Sequence, residues 1–241
     1  MLNIDKAQRA IREESLSGWL FSNVFHRDQI ADLVLGIPSE KTNTRPWICI
    51  LYPDRQPLKI VHRIEAGILD NVPGETISYY TREQLTEALG RGIPRGGRIA
   101  ADYSVGIPVG SYLDHGTALL LESVGAVLAP AESLVSRYLG TLDDEGVRSH
   151  EEAADVLYAA IEDAWGRIRD EMRHGRVVLE GDARDWISAV FAAADLEADG
   201  PPIVGAGKHT GDPHFSVDGA GARLTRGDVV QFDIWAIKKT P

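Results

Sequence analysis

The sequence predicts an α/β N-terminal domain, a mixed sheet with flanking helices, followed by a second domain of α+β type. Three observations carry this prediction. Strand-like apolar runs alternate with helix-like spacing through residue 140, a polar and acidic stretch interrupts at 141–148, and two amphipathic helices then precede extended segments with turns. The domains are accordingly placed at 1–140 and 149–241, with 141–148 as linker.

In the first domain, Gly18 to Phe25 reads as a strand, and Asp28 caps a short helix that ends at Gly36. Arg45 to Tyr52 and Gln56 to His62 read as strands joined by a turn at Pro53-Asp54. Thr81-Arg82-Glu83-Gln84 is a capping box opening a helix through Leu85, Ala88 and Leu89. Arg98 to Asp102, Thr117 to Ser123 and Ala126 to Leu128 then read as strand, helix and strand.

In the second domain, Ser149 with Glu152 forms another capping box. Ala153, Val156, Leu157, Ala160, Ile161, Ala164, Ile168 and Met172 recur at the spacing of one buried helical face, closed by His174 and Gly175. A second helix opens near Asp182 and buries Trp186, Ile187, Val190 and Phe191. After Pro201-Pro202 the pattern is extended: Ile203 to Gly207, a flexible corner at Asp218-Gly219-Ala220-Gly221, and a turn at Arg226-Gly227-Asp228 into a strand over Val229 to Ile237.

Composition narrows the function. Of 241 residues, 44% are hydrophobic and 25% charged, the balance of a globular protein with ample core material. A formal net charge of −11, with Lys and Arg scattered, argues against nucleic-acid binding. No apolar run is long enough for a membrane span, and the N-terminus does not read as a signal peptide, so a cytoplasmic setting is expected. Cys49 is the one cysteine, which excludes internal disulfides and thiolate clusters, and its apolar surroundings read as a buried structural thiol.

Several motifs fail. Gly207-Lys208 is not a phosphate loop, since Pro202 and His209 stand where the pattern needs Gly and Ser or Thr. Gly205-Ala206-Gly207 is not followed by a helical pattern, His150-Glu151 lacks the second histidine of a zinc helix, and no serine sits in a nucleophile elbow. Two residues remain. Asp233 lies in the apolar run Val229-Val230-Gln231-Phe232-Asp233-Ile234-Trp235, where an unpaired carboxylate is costly to bury. In a strand it shares a face with Val229 and Gln231, opposite Val230, Phe232 and Ile234, so that face points to a cleft or to water. It ligates a hard cation, caps a turn, or pairs with Lys238 or Arg223. His214, in Asp212-Pro213-His214-Phe215, is either structural or a proton-transfer residue, and would face Asp233 across a cleft if their segments pair.

The segment from Ser149 to Trp235 resembles the pita-bread metallopeptidases: prolidase, Xaa-Pro aminopeptidase and their relative creatinase. The likeness rests on the two helices, Gly175 and Glu180 between them, Pro213-His214-Phe215, and Gly227-Asp228 leading to Asp233. Gly18-Trp19-Leu20-Phe21, Thr44-Arg45-Pro46-Trp47 and Ala101-Asp102-Tyr103-Ser104 resemble the creatinase-type N-terminal domain of that family. The resemblance implies an incomplete α+β pita-bread catalytic domain and hydrolysis of the bond before proline in a peptide. It also implies two divalent ions (Mn, Co or Zn) in the complete family site, with Asp233 as first metal ligand but no stable binding of the pair by this chain, and His214 as the catalytic histidine that contacts substrate. Phe215 stands where Tyr is more usual. The family's further ligands, a second Asp, a His and two Glu, are not found before Pro241, so the chain reads as truncated and inactive alone, with an open strand edge. A homodimer through the N-terminal domain is implied by resemblance only. Two alternatives stay open: a creatinase-like, metal-independent C–N hydrolase, and a non-catalytic binding or dimerisation module.

Overall fold

The computed structural model describes residues 2–107, 110–217 and 219–238. Asp218, first residue of the predicted corner, and Pro241 lie outside them. The chain divides into two compact units, Met1–Thr141 and Leu142–Pro241. Among the described residues no helix is long and apolar enough to cross a membrane.

In the first unit the elements are α1 (Ile4–Glu13), β1 (Gly18–Asn23), α2 (Gln29–Leu35), β2 (Trp47–Leu51), β3 (Leu58–His62), β4 (Glu75–Tyr79), α3 (Arg82–Gly92), β5 (Arg98–Ala101), α4 (His115–Ser123), β6 (Val127–Pro130) and α5 (Glu132–Leu139). Six strands form one mixed sheet in the order β4-β3-β2-β1-β5-β6. The central β1 is antiparallel to β2 and parallel to β5, with Phe21 opposite Cys49 and Gly18 opposite Ile99.

Alternation along the strands divides the core in two, because successive side chains point to opposite faces. Trp19, Phe21, Trp47, Cys49 and Leu51 face α1, α2 and α5, where Ala7, Ile11, Val34, Leu35 and Leu134 meet them. Leu20, Ile48, Ile50, Ile60 and Ile99 face α3 and α4 through Leu85, Leu89 and Leu121. Both faces being covered explains why β2 reads as a continuous apolar run. Burial pushes the Cys49 thiol up to about 12, in keeping with an inert packing role.

Local signals set the helix boundaries. Asp28 accepts from the Ala31 N–H at 2.9 Å and Gly36 closes α2 in the left-handed region. Thr81 and Gln84 satisfy each other's backbone N–H groups as a capping box.

The second unit contains α6 (Asp144–Arg173), α7 (Glu180–Ala193), β7 (Leu196–Glu197), β8 (Ile203–Ala206), β9 (Val230–Asp233) and β10 (Ile237–Lys238). The cap of α6 is Asp143, whose carboxylate accepts from the Gly146 N–H at 2.8 Å. Ser149 therefore lies inside the helix, and 144–148, expected as linker, forms its first turns. The expected face of α6 is buried at Ala153, Ala160, Ala164 and Ile168, packed with Ala183, Ile187 and Phe191 of α7. The expected strand Val229 to Ile237 is broken. Residues 230–233 pair antiparallel with β8, whereas Ile237 and Lys238 pair with β7. Ile234–Ala236 links these two separate two-stranded sheets.

Candidate functional site

The N-terminus of α7 gathers the loop that carries the candidate histidine. Glu180 is the first residue of that helix and is fully buried. Its Oε1 accepts from the Ala206 N–H at 2.8 Å and lies 2.7 Å from His209 Nδ1, while Oε2 accepts from the Ala222 N–H at 2.7 Å. Burial pushes this carboxyl up, but the Ala222 and Ala206 N–H groups and His209 outweigh it and hold the group below its ordinary value. Since a carboxylate only accepts, Nδ1 of His209 carries its proton. The His209 ring stacks on Phe215 with centroids 4.2 Å apart.

The loop between Ala206 and Ala222 starts with a 3-10 turn at Gly207–Gly211. His214 follows in a turn, exposed, with its backbone N–H donating to Asp212 Oδ1 at 2.9 Å. The return of the loop docks on α7, as the Glu180 and Gly181 N–H groups donate to the Ala222 and Ala220 carbonyls, both at 2.9 Å. Gly221 makes this approach possible: its φ is +72°, and a Cβ there would lie 2.8 Å from both Cβ and Oε2 of Glu180.

Asp233 ends β9 opposite Ile203 of β8. Val230, Phe232 and Ile234 pack on the core, with Phe232 edge-on to Trp165 at 5.2 Å, so the period of two turns Asp233 outward. Its side chain is exposed and makes no hydrogen bond or ion pair among the described residues. The apolar run therefore does not bury this carboxylate. Neither predicted pairing forms: Lys238 bonds to Glu152, and Arg223 forms an isolated bridge with Leu179. The partner of β9 is β8 rather than the segment of His214, so strand pairing does not bring His214 and Asp233 face to face. Among the described residues no three His, Cys, Asp or Glu side chains cluster as a metal site. As a donor set, Asp233 fits a single hard-cation ligand, one oxygen group free to coordinate.

Sequence reasoning did not single out the role of Glu180 and His209. The signal available was Gly181 and Gly221, two glycines flanking segments that must touch, but the contact joins positions some forty residues apart.

No family model and no curated protein matches this sequence. Solved structures do match. A prolidase from Thermococcus sibiricus aligns over 98% of this chain and 61% of its own, at a TM-score of 0.60 and 18% identity. The fold is that of the prolidases. A dipeptidase from Mycobacterium ulcerans aligns over 94% of this chain and 57% of its own, with a TM-score of 0.62 and 17% identity. An X-Pro aminopeptidase from Thermotoga maritima aligns over 95% and 61%, with 0.56 and 13%. The chain thus spans about three fifths of the length of these prolidase-fold structures.

Proposed function

We propose that this chain is part of a metallopeptidase of the Xaa-Pro dipeptidase or aminopeptidase type. The observation that carries the reading is the prolidase fold over nearly the whole chain, with an uncommitted, water-facing carboxylate at Asp233 and an exposed histidine at His214. Asp233 would supply one oxygen ligand to a divalent ion such as Mn, Co or Zn. Such ions, when bound as a pair, supply an activated water and charge stabilisation for peptide hydrolysis. His214 would contact the peptide beside the scissile bond and hold a proton there, a task that suits an imidazole near neutral pH. A homodimer in the cytoplasm belongs to the same proposal.

One carboxylate does not hold two ions, so the 241 residues by themselves are expected to bind without turnover. Titration of the 15N-labelled chain with an Xaa-Pro dipeptide tests both parts. The expected result is a shift of the resonances of His214 and of its neighbours Gly211 to Ser216, the neighbours' shifts being lost in His214→Ala, with no peptide cleaved. Absence of any shift would refute the substrate class. Cleavage that disappears in Asp233→Ala would refute the inactive-alone part, by showing that these residues assemble a working site.

A further inference from the structure

We propose that Glu180 is a positioning residue, whose buried carboxylate clasps both ends of the loop between Ala206 and Ala222 and so sets the place of His214. The inference rests on the functional reading of His214 and adds to it the group that holds this histidine in place.

The geometry is that of a clasp. Ala206 leads into the loop and Ala222 leaves it, and their N–H groups meet the two oxygens of one side chain at 2.8 and 2.7 Å. Fixing both ends to a single rigid group removes much of the freedom that an exposed loop otherwise keeps. The backbone of Glu180 and Gly181 adds two bonds to the returning strand of the loop, at 2.9 Å each. The clasp extends to the loop interior through His209, bonded to Oε1 at 2.7 Å and stacked on Phe215, the residue after His214. A short lever of touching groups therefore runs from carboxylate to imidazole to phenyl ring, and ends beside the backbone of His214. The carboxylate itself is wholly enclosed, so it acts on substrate only through this loop.

The isosteric amide does not do this work. A carboxylate accepts from all three donors at once, whereas an amide of the same shape presents an NH2 group to one of them. Glu180→Gln must leave either the Ala222 N–H or the Ala206 and His209 donors facing a donor.

The test is backbone amide exchange of the full 241-residue chain, followed by mass spectrometry and by the His214 imidazole cross-peak. In Glu180→Gln, amides between Ala206 and Ala222 should exchange at least tenfold faster while the middle of α6 stays unchanged, and the His214 cross-peak should move. If that variant does not fold, the pair His209→Leu and His209→Asn decides. Leucine, which cannot donate, should speed loop exchange severalfold, and asparagine, which keeps an N–H near the Nδ1 position, should restore it. A loop that exchanges as in the parent in Glu180→Gln, or in His209→Leu where the first variant is unfolded, overturns the positioning role. A loosened loop in a chain whose Xaa-Pro peptide shifts survive His214→Ala overturns the functional reading of His214 instead, and leaves the clasp standing.

Discussion

Asp102 in the first unit and Glu180 in the second are both carboxyls removed from water, 3% and 0% exposed, and their surroundings treat them in opposite ways. Glu180 faces three donors and is held as an anion. Asp102 receives one, the indole N–H of Trp19 at 3.0 Å on Oδ1, while no N–H or hydroxyl of the described residues reaches its buried Oδ2. The neighbour of Asp102 is a second buried carboxyl, Asp28, the cap of α2. Burial and then the Asp28 charge push Asp102 well up, and burial pushes Asp28 up to about 6. A proton kept between the two acids supplies the donor that the first unit lacks. Burial alone therefore does not decide the state of a carboxyl; the count of donors around it does.

The largest expected effect breaks the donor-rich site. Glu180→Ala leaves the Ala206, Ala222 and His209 donors facing a cavity, and should destabilise the second unit by about 3 kcal/mol or more. Urea unfolding followed by peptide-resolved exchange checks it, and a loss below ~1 kcal/mol would mean that the three bonds are replaceable by water.

Next, pH should pull the two units apart. Asp28 and Asp102 have folded values above their ordinary 3.8, so their contribution is present at low pH and is lost as pH rises, for Asp28 between about 4 and about 6. Glu180 has a folded value below its ordinary 4.5, so its contribution is present above that pH and is lost as pH falls through the lower folded value. Exchange protection should therefore weaken with rising pH in β1 and β5 and with acidification in α7. Asp102→Asn, which keeps an acceptor for Trp19 and gives a permanent donor to Asp28, should flatten the first trend and leave the second intact.

Smaller effects sharpen the contrast. Gly221→Ala forces a Cβ into Glu180 at a φ of +72°, with an expected cost of about 1–3 kcal/mol confined to the second unit. In the first unit, His26 has Nδ1 2.7 Å from Asp32 Oδ2 and Nε2 2.7 Å from the Lys41 carbonyl, two acceptors that only a doubly protonated ring satisfies. The Lys41 carbonyl, opposed by burial and aided by Asp32, raises its pKa, so this support is present at acid pH and fades as pH rises past the raised value. His26→Ala should cost about 1 kcal/mol at pH 6 and less at pH 9, measured by the same unfolding titration.

How legible these features were follows from how local they are. The Asp28 cap, the Thr81 capping box and the α6 and α7 faces stand in short runs of sequence, and were read there. α1 and α5 were not anticipated, because each shows the core only a few residues, Ala7, Ala10 and Ile11 in one, Leu134 and Tyr138 in the other. β4 was missed because Glu75 to Ser78 at the sheet edge are largely exposed and polar. The start of α6 was placed too late, because Ser149 with Glu152 fits a capping box, whereas the actual cap, Asp143, has Gly146 where that pattern needs Glu or Gln. The apolar setting of Asp233 was misleading for a periodic reason: its neighbours pack inward and it does not. The Glu180 clasp was illegible, because each donor comes from far along the chain, and burial of a glutamate is a property of the fold.

The function rests on whether Asp233 and His214 belong to one cation and peptide site, and paramagnetic broadening by Mn2+ in 1H–15N spectra of the chain tests this most directly. Substoichiometric Mn2+ should broaden Gln231 to Ile234 and His214 ahead of the other acidic surfaces, and Asp233→Ala should abolish the effect. Broadening spread evenly over the acidic surface, or unchanged in Asp233→Ala, would contradict the assignment of Asp233 as a metal ligand and with it the metallopeptidase reading.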